Sequence, residues 1–437
     1  MAEGLVLTRG KVLDHVVEVP GDKSLTHRAL LLGALADGTA RVERPLDAED
    51  TRTSARVAAA WGAEVVWPPQ GPLTITGHGR RGLLEPPDVL DCGNSGTTMR
   101  LAIGIASGID GALTVLTGDA SLRGRPMRRV VDPLAQLGGT AWVRAAGTPP
   151  VVVRGGGVSG GVVSTPVASA QVKSALLLAG VLGRGPVTVR EPLATRDHTE
   201  RLLKAMGVRI ERDGLETRVW PGDLSPLSYR VPGDPSSAAN WWVMAAISGG
   251  RVTTPGVLLN PSRIGVLEVL RTAGAAVSIE LATVEPEPVG TVTVSAEPGR
   301  LRRFAIGPEQ VPALVDEVPL LALLASCAQG TSQLRGLGEL RVKETDRLAL
   351  TARGLSALGA RVRERADELE ISGPTPIAGT HLDAAGDHRM ALVWAVAAAV
   401  ASSPIALTGT ESVAVSYPSF WTELEASGAV RLSRLTA

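Results

Sequence analysis

The residues that could do chemistry in this sequence are cations, hydroxyls and carboxylates gathered where helices begin. Five segments carry them: Gly21-Asp22-Lys23-Ser24-Leu25-Thr26-His27-Arg28, Cys92-Gly93-Asn94-Ser95-Gly96-Thr97-Thr98-Met99-Arg100, Ser169-Ala170-Gln171-Val172-Lys173-Ser174, Asp316-Glu317 and Gly386-Asp387-His388-Arg389. Each opens an Ala/Leu-rich stretch that reads as helix. Backbone N–H groups and the helix dipole make such ends ready anion sites, and Lys or Arg beside them adds charge-assisted hydrogen bonds. Taken singly, Ser24, Asn94 and Ser169 read as N-caps. A cap needs no neighbouring cation, and capping does not account for Asp316-Glu317. If these ends converge, they describe a basic pocket with one or two carboxylates, suited to a reaction between two strongly anionic small molecules. Two more basic stretches are Arg341-Val342-Lys343-Glu344-Thr345-Asp346-Arg347 and Arg123-Gly124-Arg125-Pro126-Met127-Arg128-Arg129. Lys343 and Arg347 share a helix face if the helix has begun there. Otherwise both stretches are solvated surface.

The elements that must position these residues repeat. The helical stretch that runs through a small residue into a Thr/Val strand starts at 28, 100, 173, 240, 318 and 389, a period near 72 residues. A second helix in every unit ends in Gly before a short strand, as at Trp61-Gly62-Ala63 and Leu358-Gly359-Ala360, the pattern of a left-handed C′ residue. Val19-Pro20-Gly21-Asp22 returns as Val231-Pro232-Gly233-Asp234, so the repeats group three and three. The expected lobes are 21–232 and 233–437, with 1–20 completing the second. Ligands of two-lobed proteins most often lie in the cleft between lobes.

Composition removes several alternatives. The 437 residues hold 44 Lys+Arg and 44 Asp+Glu, without the basic excess of a nucleic-acid binder. Two cysteines rule out a disulfide scaffold and a multi-cysteine zinc site, and the six histidines lack paired ligand spacing. No basic and apolar leader is legible at the N-terminus, and the longest apolar run, 390–401, is too short to span a membrane, so a cytoplasmic protein is expected. Gly155-Gly156-Gly157-Val158-Ser159-Gly160 matches G-x-G-x-x-G, but strand-like residues follow where a dinucleotide site needs a helix. It reads as a hairpin.

The four long segments at 21–28, 93–100, 341–347 and 386–390 closely resemble the signatures of the EPSP synthase (3-phosphoshikimate 1-carboxyvinyltransferase) family, in order and at full-length spacing. The resemblance implies a two-lobed inside-out α/β barrel of six βαβαββ repeats, three per lobe. It implies transfer of the enolpyruvyl group of phosphoenolpyruvate to the 5-hydroxyl of shikimate 3-phosphate, releasing phosphate, by a monomer without metal or cofactor. Carried over, Lys23, Ser24 and Arg28 match the first substrate loop, with Lys23 touching both substrates. Gly96, Arg125, Gln171, Arg347 and Arg389 match phosphoenolpyruvate contacts. Ser169, Gln171, Arg196, Asp316 and Lys343 match shikimate 3-phosphate contacts. Asp316 matches the proton acceptor, and Glu344 a carboxylate that exchanges protons at the methylene. The family is inhibited by glyphosate at the phosphoenolpyruvate site. Ala170 stands where many members have a second Ser, and Arg196 where those members have other phosphate donors, a pattern like the Gram-positive-type branch.

Two other readings compete. The sister enolpyruvyl transferase of UDP-N-acetylglucosamine shares the fold but expects a reactive Cys near Arg123-Gly124-Arg125-Pro126, where this chain has none. A non-catalytic anion-binding repeat protein would keep the cations but has no need of Asp316 and Glu344.

Overall fold

The computed structural model describes residues 4–69 and 71–435. They form two compact units, Gly21–Val231 and residues 4–20 with 232–435. Pro232, read from the sequence as the end of the first unit, belongs to the second.

The described helices are α1 (Lys23–Leu35), α2 (Glu49–Ala60), α3 (Gly96–Ala106), α4 (Arg128–Gln136), α5 (Ala170–Leu182), α6 (His198–Ala205), α7 (Pro235–Ser248), α8 (Gly265–Thr272), α9 (Val311–Leu314), α10 (Val318–Cys327), α11 (Arg347–Ala357), α12 (His388–Ala398) and α13 (Phe420–Ser427). The first helix of each repeat is apolar on nearly every face, and a helix of that kind must be buried. Accordingly α1 packs on α3 and α3 on α5 in one unit, and α7, α10 and α12 pack on one another in the other. Leu31, Leu177, Trp242 and Leu323 are fully buried there. The second helix of each repeat carries polar residues outward and ends as expected: Gly62 and Gly359 have φ of +97° and +94°, which favours Gly.

Six four-stranded sheets accompany the helices, and all follow one plan. In the second repeat, Leu90–Asp91 runs parallel to Leu113–Thr117, which pairs antiparallel with Val151–Arg154, and that with Thr140–Trp142. Burial alternates along the inner strands, as in Leu73–His78, which marks sheets with one face on the core and one in water. Two strands cross over in sequence. Asp14–Val16 precedes α1 but pairs with Arg251–Leu258 of the fourth repeat. Tyr229–Arg230 precedes α7 but pairs with Asp37–Glu43 of the first. Gly4–Arg9 lies between Ile405–Thr408 and Val430–Arg434, so the N-terminal segment completes two sheets of the second unit.

The Gly155–Gly160 stretch is not a hairpin. Val151–Arg154 and Gly161–Ser164 lie in different sheets, because the glycines join one repeat to the next. No helix opens there, so the dinucleotide reading fails as expected. Among the described residues, no helix is long and apolar enough to cross a membrane.

Candidate active site

In the first unit the site residues stand at the starts of α1, α3 and α5. Asp22, not Ser24, caps α1 by accepting from the Leu25 N–H at 2.8 Å. Ser95, not Asn94, caps α3 by accepting from the Thr98 N–H at 3.1 Å. Asn94 is drawn away because its carboxamide oxygen accepts from Arg125 Nη2 at 2.9 Å while its Nδ2 donates to Asp119 at 2.7 Å. Ser169 does cap α5, accepting from the Val172 N–H at 3.5 Å.

Lys23 opens α1, and its ammonium lies 2.5 Å from the Asp50 carboxylate of α2. One turn on, Arg28 is buried. Its Nε donates to Thr199 Oγ1 at 2.8 Å, its Nη2 to Ser174 Oγ at 3.0 Å and its Nη1 to the Ser24 carbonyl at 3.0 Å. Between them His27 shares a 2.8 Å bond with Ser54, which continues to Thr98 at 2.7 Å and on to Ser95 at 2.8 Å. This chain of hydroxyls ties α1, α2 and the start of α3 together. Burial, reinforced by Lys23 and Arg28, pushes the His27 pKa well below its ordinary 6.5, so the imidazole is neutral.

A second cluster surrounds the start of α3. Gln171 accepts from Arg100 Nη1 and donates to Thr97 Oγ1 at 2.8 Å. A Cβ on Gly96 would lie 3.0 Å from Arg100 Nη1 and 3.2 Å from Arg125 Nη1. The glycine therefore lets two guanidinium groups approach the backbone. Arg196 lies in the loop two residues before α6.

In the second unit the site residues gather around Arg347, the first residue of α11. Its Nε donates to Asp387 Oδ2 at 2.8 Å and its Nη2 to Asp387 Oδ1 at 3.1 Å, a bidentate pair. Glu344 lies 2.6 Å from Nη2 and Asp316 3.7 Å from Nη1. Burial alone would lower the Arg347 pKa, but Asp387, Glu344 and Asp316 outweigh it and raise the pKa above the usual arginine value. Burial likewise opposes ionisation of Asp387, yet Arg347 holds its carboxyl below the usual range. Asp387 also caps α12, accepting from the Arg389 N–H at 3.0 Å. Arg389 in turn donates to the Asp316 carbonyl at 3.2 Å and lies 3.7 Å from its carboxylate. Asp316, Glu344, Arg347 and Arg389 thus form one contiguous group.

Lys343 and Arg347 do not share a helix face. Asp346 caps α11 by accepting from the Ala349 N–H at 3.0 Å, so Lys343 and Glu344 lie in the approach to the helix. Burial lowers the Lys343 pKa, opposed chiefly by Asp316. Asp50, Thr199 and Arg100 were not singled out for the site from the sequence. Arg100 closes a quoted segment and Thr199 lies three residues after Arg196, but nothing local marks Asp50. Neither cysteine fits a reactive role, since burial pushes the Cys92 thiol up to about 12 and the Cys327 thiol up to about 11.

Comparison with known proteins identifies the family. The family model for EPSP synthase (3-phosphoshikimate 1-carboxyvinyltransferase) matches residues 7–424. The 3-phosphoshikimate 1-carboxyvinyltransferase of Synechococcus sp. (strain WH7803) is 50% identical over 426 residues, covering 96% of this chain and 97% of the relative. That of Roseiflexus sp. (strain RS-1) is 48% identical, covering 93% and 95%. The structure of EPSP synthase from Acinetobacter baumannii superposes with a TM-score of 0.87 at 37% identity, covering 100% of both chains. On this evidence, with four motifs now placed on two three-repeat units, the chain belongs to the EPSP synthase family.

Proposed function

We propose that the chain transfers the enolpyruvyl group of phosphoenolpyruvate to the 5-hydroxyl of shikimate 3-phosphate, with the following division of labour. Lys23, Ser24, Arg28, Ser169, Gln171, Arg196 and Lys343 hold shikimate 3-phosphate. Gly96, Arg125, Gln171, Arg347 and Arg389 hold phosphoenolpyruvate, and Lys23 serves both. Asp316 accepts the hydroxyl proton as that oxygen bonds to C2 of phosphoenolpyruvate. Glu344 delivers a proton to the methylene, making a methyl group. In the second half the C2–O bond to phosphate breaks, the methyl returns a proton to Glu344, and the double bond re-forms.

The observation that supports this reading best is the contact of both proton-handling carboxylates, Asp316 and Glu344, with Arg347. An anionic substrate that engages this arginine arrives beside the groups that must move its protons. A positioned base is worth about 10²–10⁴ in rate, and each charge-assisted hydrogen bond about 1.5–3 kcal/mol. The balance of 44 cations and 44 carboxylates supports small-molecule partners rather than nucleic acid. We take the chain to act as a cytoplasmic monomer. The reading is tested by phosphate release from phosphoenolpyruvate. Release that needs shikimate 3-phosphate is expected. No release with both present, or release stimulated instead by UDP-N-acetylglucosamine, contradicts it.

A further inference from the structure

Arg28 and the 191–200 segment are separated by more than 160 residues in sequence, yet one network of buried groups joins them. The side-on edge of the Arg28 guanidinium, Nε and Nη2, is met by Thr199 Oγ1 at 2.8 Å and Ser174 Oγ at 3.0 Å. The two hydroxyls bond each other at 2.7 Å. Thr199 and Ser174 are fully buried, at 1% and 0% exposure, so water does not compete for these bonds.

Each hydroxyl is fixed from behind. Ser174 follows Lys173 on α5, and Thr199 precedes Glu200 on α6. The Lys173 ammonium lies 2.8 Å from Glu191 and 2.7 Å from Glu200, with its side chain 0% exposed. Thr195 donates to Glu191, which ties down the loop that carries Arg196. Breaking a buried ion cluster of this kind by removing one partner is strongly unfavourable, so it sets the spacing of α5 and α6.

We propose that Thr199 and Ser174 are positioning residues for shikimate 3-phosphate. They fix the plane of the Arg28 guanidinium, with Lys173, Glu191 and Glu200 as the clamp that holds the two hydroxyls in register. Hydrogen bonds to a guanidinium are directional and planar, and its end-on edge has one direction only when its side-on edge is held. The claim rests on the reading of Arg28 as a shikimate 3-phosphate ligand.

The test is calorimetric titration of shikimate 3-phosphate into the intact protein and into Thr199→Val, Thr199→Ser, Ser174→Ala and Arg28→Ala. Valine keeps the shape of threonine and loses the acceptor. The expected result is about a tenfold rise in Kd, about 1.4 kcal/mol, for Thr199→Val and for Ser174→Ala. Thr199→Ser is expected within twofold of the unchanged protein, and the Michaelis constant for phosphoenolpyruvate is expected to stay within twofold in the folded variants. A merely structural role would lower the melting temperature of Thr199→Val without this split or this rescue. If Arg28→Ala loses affinity while Thr199→Val and Ser174→Ala do not, the positioning claim is overturned alone. If Arg28→Ala binds normally, the reading of Arg28 falls and the claim falls with it.

Discussion

Arg28 and Arg347 are both buried arginines near the N-terminal end of a helix, one in each unit, and they are held in opposite ways. Arg28 donates to two hydroxyls and a backbone carbonyl. Arg347 donates bidentately to Asp387 and is approached by Glu344 and Asp316. Hydroxyl and carbonyl oxygens orient a guanidinium without neutralising it. Carboxylates neutralise it, and a substrate anion must then share it with them. The first arrangement suits tight holding of a phosphorylated sugar-like acid. The second places groups that can carry protons against the cation proposed to hold the other substrate. Arg28 belongs to the first helix of its repeat and Arg347 to the second helix of its own, so the two units bury a guanidinium at different places in the repeat and surround it differently.

The comparison is sharpest in stability. Arg347→Met is expected to cost about 3–5 kcal/mol, because it leaves Asp387 buried without its partner. Arg28→Met is expected to cost nearer 1 kcal/mol, since Thr199 and Ser174 still bond each other. Denaturant unfolding of both variants measures this, and equal losses would erase the distinction. The sign with pH differs too. The Asp387 pKa is lowered in the folded chain, so the stability it confers is complete above the ordinary aspartate value of about 3.9 and is lost as pH falls through the lowered folded value. In Arg347→Met the buried Asp387 carboxyl loses its counter-charge and favours its proton, and acidification should stabilise.

A smaller effect is expected at His27, whose folded pKa lies well below 6.5. The unfolded chain takes up a proton near pH 6.5 while the folded chain does not. Stability is therefore full above that pH and falls as pH drops toward the folded value, by at most about 1.4 kcal/mol per unit. His27→Asn should flatten the profile of melting temperature between about pH 6.5 and 5. A profile as steep as that of the unchanged chain would remove His27 from the account.

The smallest effect expected is at Gly96. An added methyl would lie 3.0 and 3.2 Å from the guanidinium nitrogens of Arg100 and Arg125. These are ends of long side chains and can shift, so Gly96→Ala should fold. The shift moves Arg125, and the Michaelis constant for phosphoenolpyruvate should rise about fivefold, about 1 kcal/mol. The inhibition constant of glyphosate, a longer molecule, should rise by a larger factor. Equal factors for the two would contradict a steric cause.

How much of this was legible in the sequence depended on range. The repeats were legible because each second helix ends in a glycine such as Gly62 or Gly359, and that signal is local. The apolar first helices were legible for the same reason. That the N-terminal segment completes the second unit was legible, but the partner of Asp14–Val16 within it was not, since no local pattern names the strand of the fourth repeat. Helix caps were misassigned by one or two residues at Ser24 and Asn94, because Asp22 and Ser95 compete for the same N–H groups. The shared helix face drawn for Lys343 and Arg347 failed because Asp346 starts the helix later. Asp50 becomes a partner of Lys23 only when the two helices of the first repeat pack, and Thr199 a partner of Arg28 only when the first and third repeats pack.

The central claim is that the carboxylates around Arg347 move protons while the cations of the site hold charge. Its most direct test is Asp316→Asn, which keeps the shape of the side chain and removes the base. Turnover should fall by about 10²–10⁴, while the Kd of shikimate 3-phosphate, measured by calorimetry, and that of phosphoenolpyruvate in the ternary complex change by less than about fivefold. Turnover within a few-fold of the unchanged protein, or a loss that lies wholly in binding, would contradict it.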